Sequence, residues 1–172
     1  MAITIVVETG EGLQNSNSYV SVNEARSFAT ERGIVLPAND DEVASLLIQS
    51  MDYLEAQACK YQGRRTSVLQ ALQWPRTGVT LEGDTFPPNA IPSQLVKAQL
   101  QLMSAAAQGF DLLPNVSPQD FVTQETVGPI TTKYADMTSV GVIPTFSAAE
   151  ALLAPLFGDC AKSGAFLTTL RV

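Results

Sequence analysis

The chain has no histidine. That absence removes the side chain most used for proton transfer near neutral pH, the Ser-His and Cys-His nucleophile pairs, and the commonest transition-metal ligand. The two cysteines, Cys59 and Cys160, stand far apart and outside any C-x-x-C, so their spacing implies neither a zinc site nor a disulfide framework. Cys59 falls inside a helical pattern and reads as a small buried apolar residue, in a chain made in a reducing cytoplasm. No G-x-x-x-x-G-K or G-x-G-x-x-G segment is present to cradle a nucleotide phosphate. No run of about 18 apolar residues could span a membrane, and Met1 to Val7 lacks the basic region of a signal peptide, so the expectation is a soluble protein. With no nucleophile–base pair to name, the sequence predicts no enzyme, no metal and no cofactor.

Charge is scarce as well: 16% of the residues are charged, against about 25% in ordinary globular chains. Apolar residues make up 45% of the 172 positions, enough for a real core in one domain. A surface so poor in charge suggests that other subunits cover part of it; a monomer with a Ser/Thr/Gln-rich surface is the alternative. The charge that exists is unevenly placed. Residues 60–76 carry Lys60, Arg64, Arg65 and Arg76 with no acid, a local +4. Residues 1–59 carry nine acids against Arg26 and Arg32, and residues 77–172 carry eight acids against four bases, which returns the net charge of -7. One cationic stretch ending in Trp74-Pro75-Arg76 therefore stands on an acidic body.

Local signals order the chain. Ile3 to Val7 reads as a strand or extended arm before the turn-rich Thr9 to Ser18. Ser21-Val22-Asn23-Glu24 forms a capping box that opens a helix over Val22 to Arg32, with Gly33 as its stop. Asp40, Asp41 and Glu42 place acid at the start of a second helix. Val43, Leu47, Met51, Leu54, Ala58 and Tyr61 then trace one helical stripe, predicting a helix from Asp41 to Gln62, roughly 33 Å long. Val68 to Trp74 reads as a short helical turn ended by Pro75, and Thr77 to Ile91 as a loop. A helix from Pro92 or Ser93 to Gln108 is apolar on two faces, Leu95, Ala98, Leu102 and Ala105 on one and Val96, Leu100, Met103 and Ala107 on the other. It belongs at the centre of the core, or is shared between core and subunit interface. Phe121 to Val127 and Ile130 to Ala135 flank Gly128-Pro129 as a hairpin. Ser147 to Glu150 repeats the capping-box pattern before a short helix, and Ala165 to Val172 is an extended apolar tail.

Two clusters invite functional readings. Asp40-Asp41-Glu42 lacks the onward spacing of an EF-hand and reads as helix-start charge; Asp52 and Glu55 read as a solvated face. Arg64, Arg65 and Arg76 with Tyr61 and Trp74 resemble in miniature the mixture of cations and stacking aromatics that holds single strands. The acidic body argues against that as the main role. The other reading packs Trp74 beneath the loop and pairs the arginines with carboxylates, of this chain or of a neighbour.

The order Asn17-Ser18-Tyr19-Val20-Ser21, then Gln73-Trp74-Pro75-Arg76 with Gly78-Val79, then Ile91-Pro92, resembles a family of tailed-bacteriophage head–tail connector proteins. Glu125 to Asp136 and Leu152 to Leu156 are similar to the same family's β-arm and final helix. Members also carry a DnaT-like single-stranded-DNA-binding label, which the charge balance does not favour. The resemblance implies a mainly α fold, a helical core of about four helices with a β-hairpin arm and extended N- and C-terminal segments. It covers residues 1–172 as a single connector domain: N-terminal arm 1–20, helical core 21–110, β-hairpin arm 111–146, final helix and tail 147–172.

The function so implied is that of a non-enzymatic virion protein at the head–tail neck. It would be a head-to-tail adaptor assembled in the host cytoplasm as a homo-oligomeric ring of about twelve subunits. The ring would sit below the portal protein, join the next neck or tail component and let DNA pass without specific binding. Phe166, Leu167, Leu170, Arg171 and Val172 would bind the portal. Arg64, Arg65, Trp74, Arg76, Val127, Ile130 and Tyr134 would lie at subunit interfaces. The alternative function is a single-stranded-DNA-binding replication accessory protein.

Overall fold

Ser21 caps the first helix as its sequence pattern requires. Its hydroxyl accepts the Glu24 amide at 3.2 Å, and the Glu24 carboxylate accepts the Ser21 amide at 2.8 Å. Helix α1 runs over Val22–Glu31. In this computed structural model, which describes residues 2–114, 124–127, 130–133 and 146–158, α1 is followed by α2 over Asp40–Ala56. Asn39, not an acid, caps α2 by accepting the Asp41 amide at 3.0 Å. Asp40 instead takes two hydrogen bonds from Arg26, at 2.8 and 2.6 Å, and so joins α2 to α1.

Helix α2 ends six residues short of the expected Gln62. It is about 26 Å long at 1.5 Å per residue, and a 3-10 turn over Ala58–Lys60 follows it. The stripe survives the change of geometry. Val43, Leu47, Met51 and Leu54 are buried on α2, and Tyr61 is buried beyond it, where its hydroxyl donates to the Leu54 carbonyl at 3.1 Å. Cys59 lies on the exposed side of this turn and is disulfide-bonded. This corrects the expectation of a buried, unbridged thiol, and with it the ground for assigning a reducing compartment.

The segment read as turn and loop holds strands. Strands β1, Arg64–Arg65, and β2, Arg76–Thr77, pair antiparallel, with Arg64 opposite Thr77 and Arg65 opposite Arg76. Strands β3, Thr80–Leu81, and β4, Asp84–Thr85, form a hairpin around Glu82 and Gly83. Both turn residues have positive φ, 54° and 95°, the handedness that two-residue hairpins need. Two-residue strands carry no readable alternation, so no period in the sequence marks them. The expected helical turn over Val68 to Trp74 does not form either, because the Gln70 side chain takes over the local backbone bonds, as described below.

Helix α3, Ser93–Ala107, packs against both α2 and α4, Ser147–Leu153. Its two apolar faces enter two clusters. Leu95, Ala98 and Leu102 join Met51, Tyr61, Trp74 and Leu153, while Leu100 and Met103 join Val20, Phe28, Val43 and Leu47. Between the faces Gln99 is fully buried. Its Oε1 accepts the Tyr19 amide at 3.0 Å, and its Nε2 donates to the Ser18 hydroxyl at 2.8 Å and the Leu47 carbonyl at 3.4 Å. The second capping box does not form: Phe146 occupies the cap position without a side-chain bond, and Glu150 instead accepts the Tyr53 hydroxyl at 3.3 Å.

Strands β5, Gln124–Val127, and β6, Ile130–Lys133, pair antiparallel with Val127 opposite Ile130, as the hairpin reading expected. The mainly α expectation is corrected. Among the described residues four α-helices share the fold with three two-stranded antiparallel ladders, which makes it a small mixed α and β fold.

The N-terminal arm is extended but is not a strand. A single bridge links Val7 to Ser18, and Asn17 stitches the arm by accepting the Val6 amide at 2.8 Å and donating to the Thr4 carbonyl at 2.9 Å. The turn between them wraps the buried carboxylate of Glu8. One oxygen accepts the Gly10 and Gly12 amides at 2.8 and 3.0 Å; the other accepts the Leu13 amide at 2.6 Å and the Ser16 hydroxyl at 3.2 Å.

Replacing Gln99 by Leu strands the Tyr19 amide in the interior. The expected loss is about 2 kcal/mol, read as a lower urea midpoint with an unchanged slope.

Candidate nucleic-acid interface at the basic elbow

Strands β1 and β2 bracket the loop 66–75, and side chains rather than a helix give that loop its shape. Gln70, buried at 3% exposure, accepts the Ser67 amide at 2.8 Å and donates to the Leu72 and Pro75 carbonyls at 2.8 and 3.0 Å. This is the side-chain competition with helical bonding that polar residues offer. The Ala71 amide reaches the Leu13 carbonyl at 2.9 Å and ties the loop to the N-terminal turn. The Trp74-Pro75 peptide bond is cis.

Trp74 is fully enclosed. Tyr61 and Phe86 meet its ring edge-on at 6.0 and 6.1 Å, and its amide donates to the Tyr19 hydroxyl at 3.0 Å. Its Nε1 is the one buried side-chain polar atom without a hydrogen-bond partner among the described residues.

Arg76 is 6% exposed. Its guanidinium donates to the carbonyls of Gln62 at 2.7 Å, Gly63 at 2.9 Å and Gln73 at 3.2 Å, and to the Gln73 side chain at 3.1 Å. The arginine therefore clamps the turn after α2 onto the start of β2. Gly63, at φ 63°, lets the strands close: a Cβ there would lie 2.2 Å from the Thr77 carbonyl oxygen.

Burial sets the electrostatics of this corner. It pushes the Tyr19 and Tyr61 phenols well up and lowers the Arg76 guanidinium from its ordinary value. On the far side of α2, burial beside Glu150 pushes Tyr53 up to about 12. Burial also raises Glu55, opposed by its hydrogen bond from the Gln73 amide at 2.9 Å and by Arg65 and Arg76.

The expected interface residues thus divide. Trp74 and Arg76 are enclosed by their own chain, whereas Arg64 and Arg65 are exposed on β1 and Lys60 is exposed just before it. Among the described residues the ion pairs are Arg26 with Asp40 and Arg32 with Glu31, so none of the three elbow cations is paired. Arg65 makes only a 3.4 Å bond to the Gln70 carbonyl. Lys60 sits 5.7 Å from the Phe157 ring centre. At the loop apex Val68 and Leu69 are 85% and 64% exposed. Both fall in the expected helical turn over Val68 to Trp74, and no pattern in the sequence marks them as exposed. Val127 and Ile130 are cross-strand partners in the β5–β6 ladder. Tyr134 and the tail residues Phe166, Leu167, Leu170, Arg171 and Val172 lie outside the described residues.

Residues 3–172 match the model of a family described as "Putative DnaT-like ssDNA binding protein". The chain belongs to that family. No curated protein and no solved structure matches it. The match bears the single-stranded-DNA label and lends no support to the head–tail connector assignment. Within this family member the elbow offers charge without stacking. Tyr61 and Trp74 are both buried, so the aromatic half of the stacking-platform pattern is spent on the core.

No helix of the described residues is long and apolar enough to cross a membrane, and no cluster of them could hold a metal.

The raised Glu55 carboxyl fixes the sign of one pH effect. Its folded value lies above the ordinary 4.5, so its contribution to stability is complete below that value and is lost as pH rises through the folded one. Glu55→Gln keeps an acceptor for the Gln73 amide. Urea midpoints measured from acid to neutral pH should therefore lose that part of their slope in the variant.

Proposed function

We propose that the chain binds single-stranded DNA by its phosphate backbone, along the exposed edge formed by Lys60, Arg64 and Arg65. The observation that carries this reading is three exposed cations within residues 60–65, none paired to a described residue, in a member of a family described as DnaT-like and ssDNA-binding. Cations against phosphates release counterions, and the contact carries no base preference. With no exposed stacking ring at the elbow, affinity comes from charge alone. The acidic body, which outweighs the elbow to leave the whole chain at -7, repels the strand beyond that edge and keeps the contact local. Such a contact suits a replication accessory protein that touches a strand and releases it, and it involves no catalytic step.

A second reading is a structural adaptor: a ring in the neck of a virion, bound to a portal, with DNA passing through its channel. Val68 and Leu69 favour it. An exposed apolar pair beside two arginines is what a protein–protein contact covers.

Fluorescence anisotropy with a labelled oligothymidylate separates the two. Three phosphate contacts predict a slope of log affinity against log salt of about -2, falling to about -0.7 in Arg64→Ala/Arg65→Ala. A wild-type chain that fails to bind at low salt, or binds with no salt dependence, overturns the DNA reading. Val68→Ser/Leu69→Ser should leave the DNA affinity unchanged. If the chain binds no DNA and those substitutions abolish rings seen by electron microscopy, the adaptor reading takes its place.

A further inference from the structure

Arg76 is a buried charge with no ion pair to any described residue. A guanidinium has five N–H groups, and the four hydrogen bonds described above leave one of them without a described partner. Burying a cation without a counter-charge costs several kcal/mol unless something compensates it. Carbonyl oxygens supply dipoles, and Glu55 acts only at longer range.

Beside this guanidinium opens a cleft of about 460 Å³, lined by Arg76, Gln62, Gly63, Gly78 and Gly158. Three glycines leave its walls as bare backbone, so a ligand can approach the main chain closely. Each glycine is placed by a backbone contact. Gly63 is required by the Thr77 carbonyl, Gly78 faces the Gly63 Cα across the ladder, and Gly158 is brought in by its amide donating to the Lys60 carbonyl at 2.7 Å. Lys60 and Arg64, both exposed, adjoin this wall in sequence, and no acid occurs between residues 60 and 76.

We infer that this cleft is an anion site that takes one phosphate group, with Arg76 as its counter-charge. The inference rests on the DNA reading for the source of that group, a backbone phosphate of the bound strand, and free phosphate shares the same chemistry. A phosphate here supplies the charge that Arg76 lacks and meets the remaining N–H in a charge-assisted hydrogen bond. The strand held along Lys60, Arg64 and Arg65 would then be pinned at one point as well as attracted along an edge.

Arg76 clamps the fold, so the test substitutes the cleft wall. Gly158 does not have positive φ, and a Cβ there meets the Gln62 side chain at 3.2 Å and the Gln62 Cα at 3.5 Å. Gly158→Asp therefore places a negative charge in the cleft once Gln62 gives by a few tenths of an ångström, and an unchanged circular dichroism spectrum checks that the variant folds. Ser27→Asp on the exposed face of α1 adds the same charge elsewhere. Titrating inorganic phosphate against chloride of equal ionic strength should shift the amide resonances of Gly63, Gly78 and Gly158 saturably, and the shifts should vanish in Gly158→Asp. The same variant should bind oligothymidylate about tenfold more weakly, with a salt slope shallower by about 0.7, while Ser27→Asp binds as wild type. Unmoved glycine resonances overturn the cleft. So does unchanged oligonucleotide affinity in Gly158→Asp when Arg64→Ala/Arg65→Ala still weakens it, and in that case the DNA reading stands. Saturable phosphate shifts without oligonucleotide binding keep the cleft as a free-phosphate site and remove the DNA reading.

Discussion

The hydrogen bond from the Trp74 amide to the Tyr19 hydroxyl is the constraint on which the rest of the architecture turns. A tryptophan at zero exposure brings its backbone into the interior with it, and an interior amide without an acceptor costs about 1 to 3 kcal/mol. No strand ladder reaches that amide, so a side chain distant in sequence must. Tyr19 arrives there because its own amide is held by Gln99 on α3, while Ser18 accepts from the same glutamine and Ser21 caps α1. Three segments distant in sequence are thereby locked to a single polar thread through two apolar clusters. Glu55 and Arg76 extend the thread to α2 and to the turn after it.

Much of this was legible in the sequence, and its limits have physical causes. The α1 capping box, the apolar stripe of α2, the two-faced α3 and the β5–β6 pairing all follow from local pattern, and the structure reproduces them. The helix end near Gln57, the hairpin at Glu82-Gly83 and the unused pattern at Ser147 follow from tertiary contacts. At Ser147 the Glu150 side chain is drawn to Tyr53, so the cap amide of a capping box is left without its carboxylate acceptor. In the elbow, Gln70 converts a plausible helical turn into a loop, and a lone glutamine carries no such signal in sequence. The exposed arginines could be read from charge spacing alone. The buried role of Arg76, identical to them in formula, could not.

The residues that gave the chain its family-like appearance turn out to be those that hold the fold. Asn17 stitches the arm, Tyr19 and Trp74 meet in the core, and Arg76 staples a turn. A pattern built from such residues reports ancestry and architecture, and it is silent about what the surface touches. The functional evidence lies in the neighbours of the pattern, in Lys60, Arg64 and Arg65 with Val68 and Leu69, whose side chains the fold presents to solvent without needing them inside.

The Glu8 turn gives the acidic balance of the chain a different meaning. Three backbone amides and a hydroxyl converge there on one carboxylate, the geometry by which loops elsewhere capture phosphate. Here the chain inserts an anion of its own, so the concavity is occupied from the moment it forms and is closed to nucleic acid. An acidic side chain can in this way work as a built-in competitor, leaving outside anions to cations elsewhere that the chain has not matched with a carboxylate of its own.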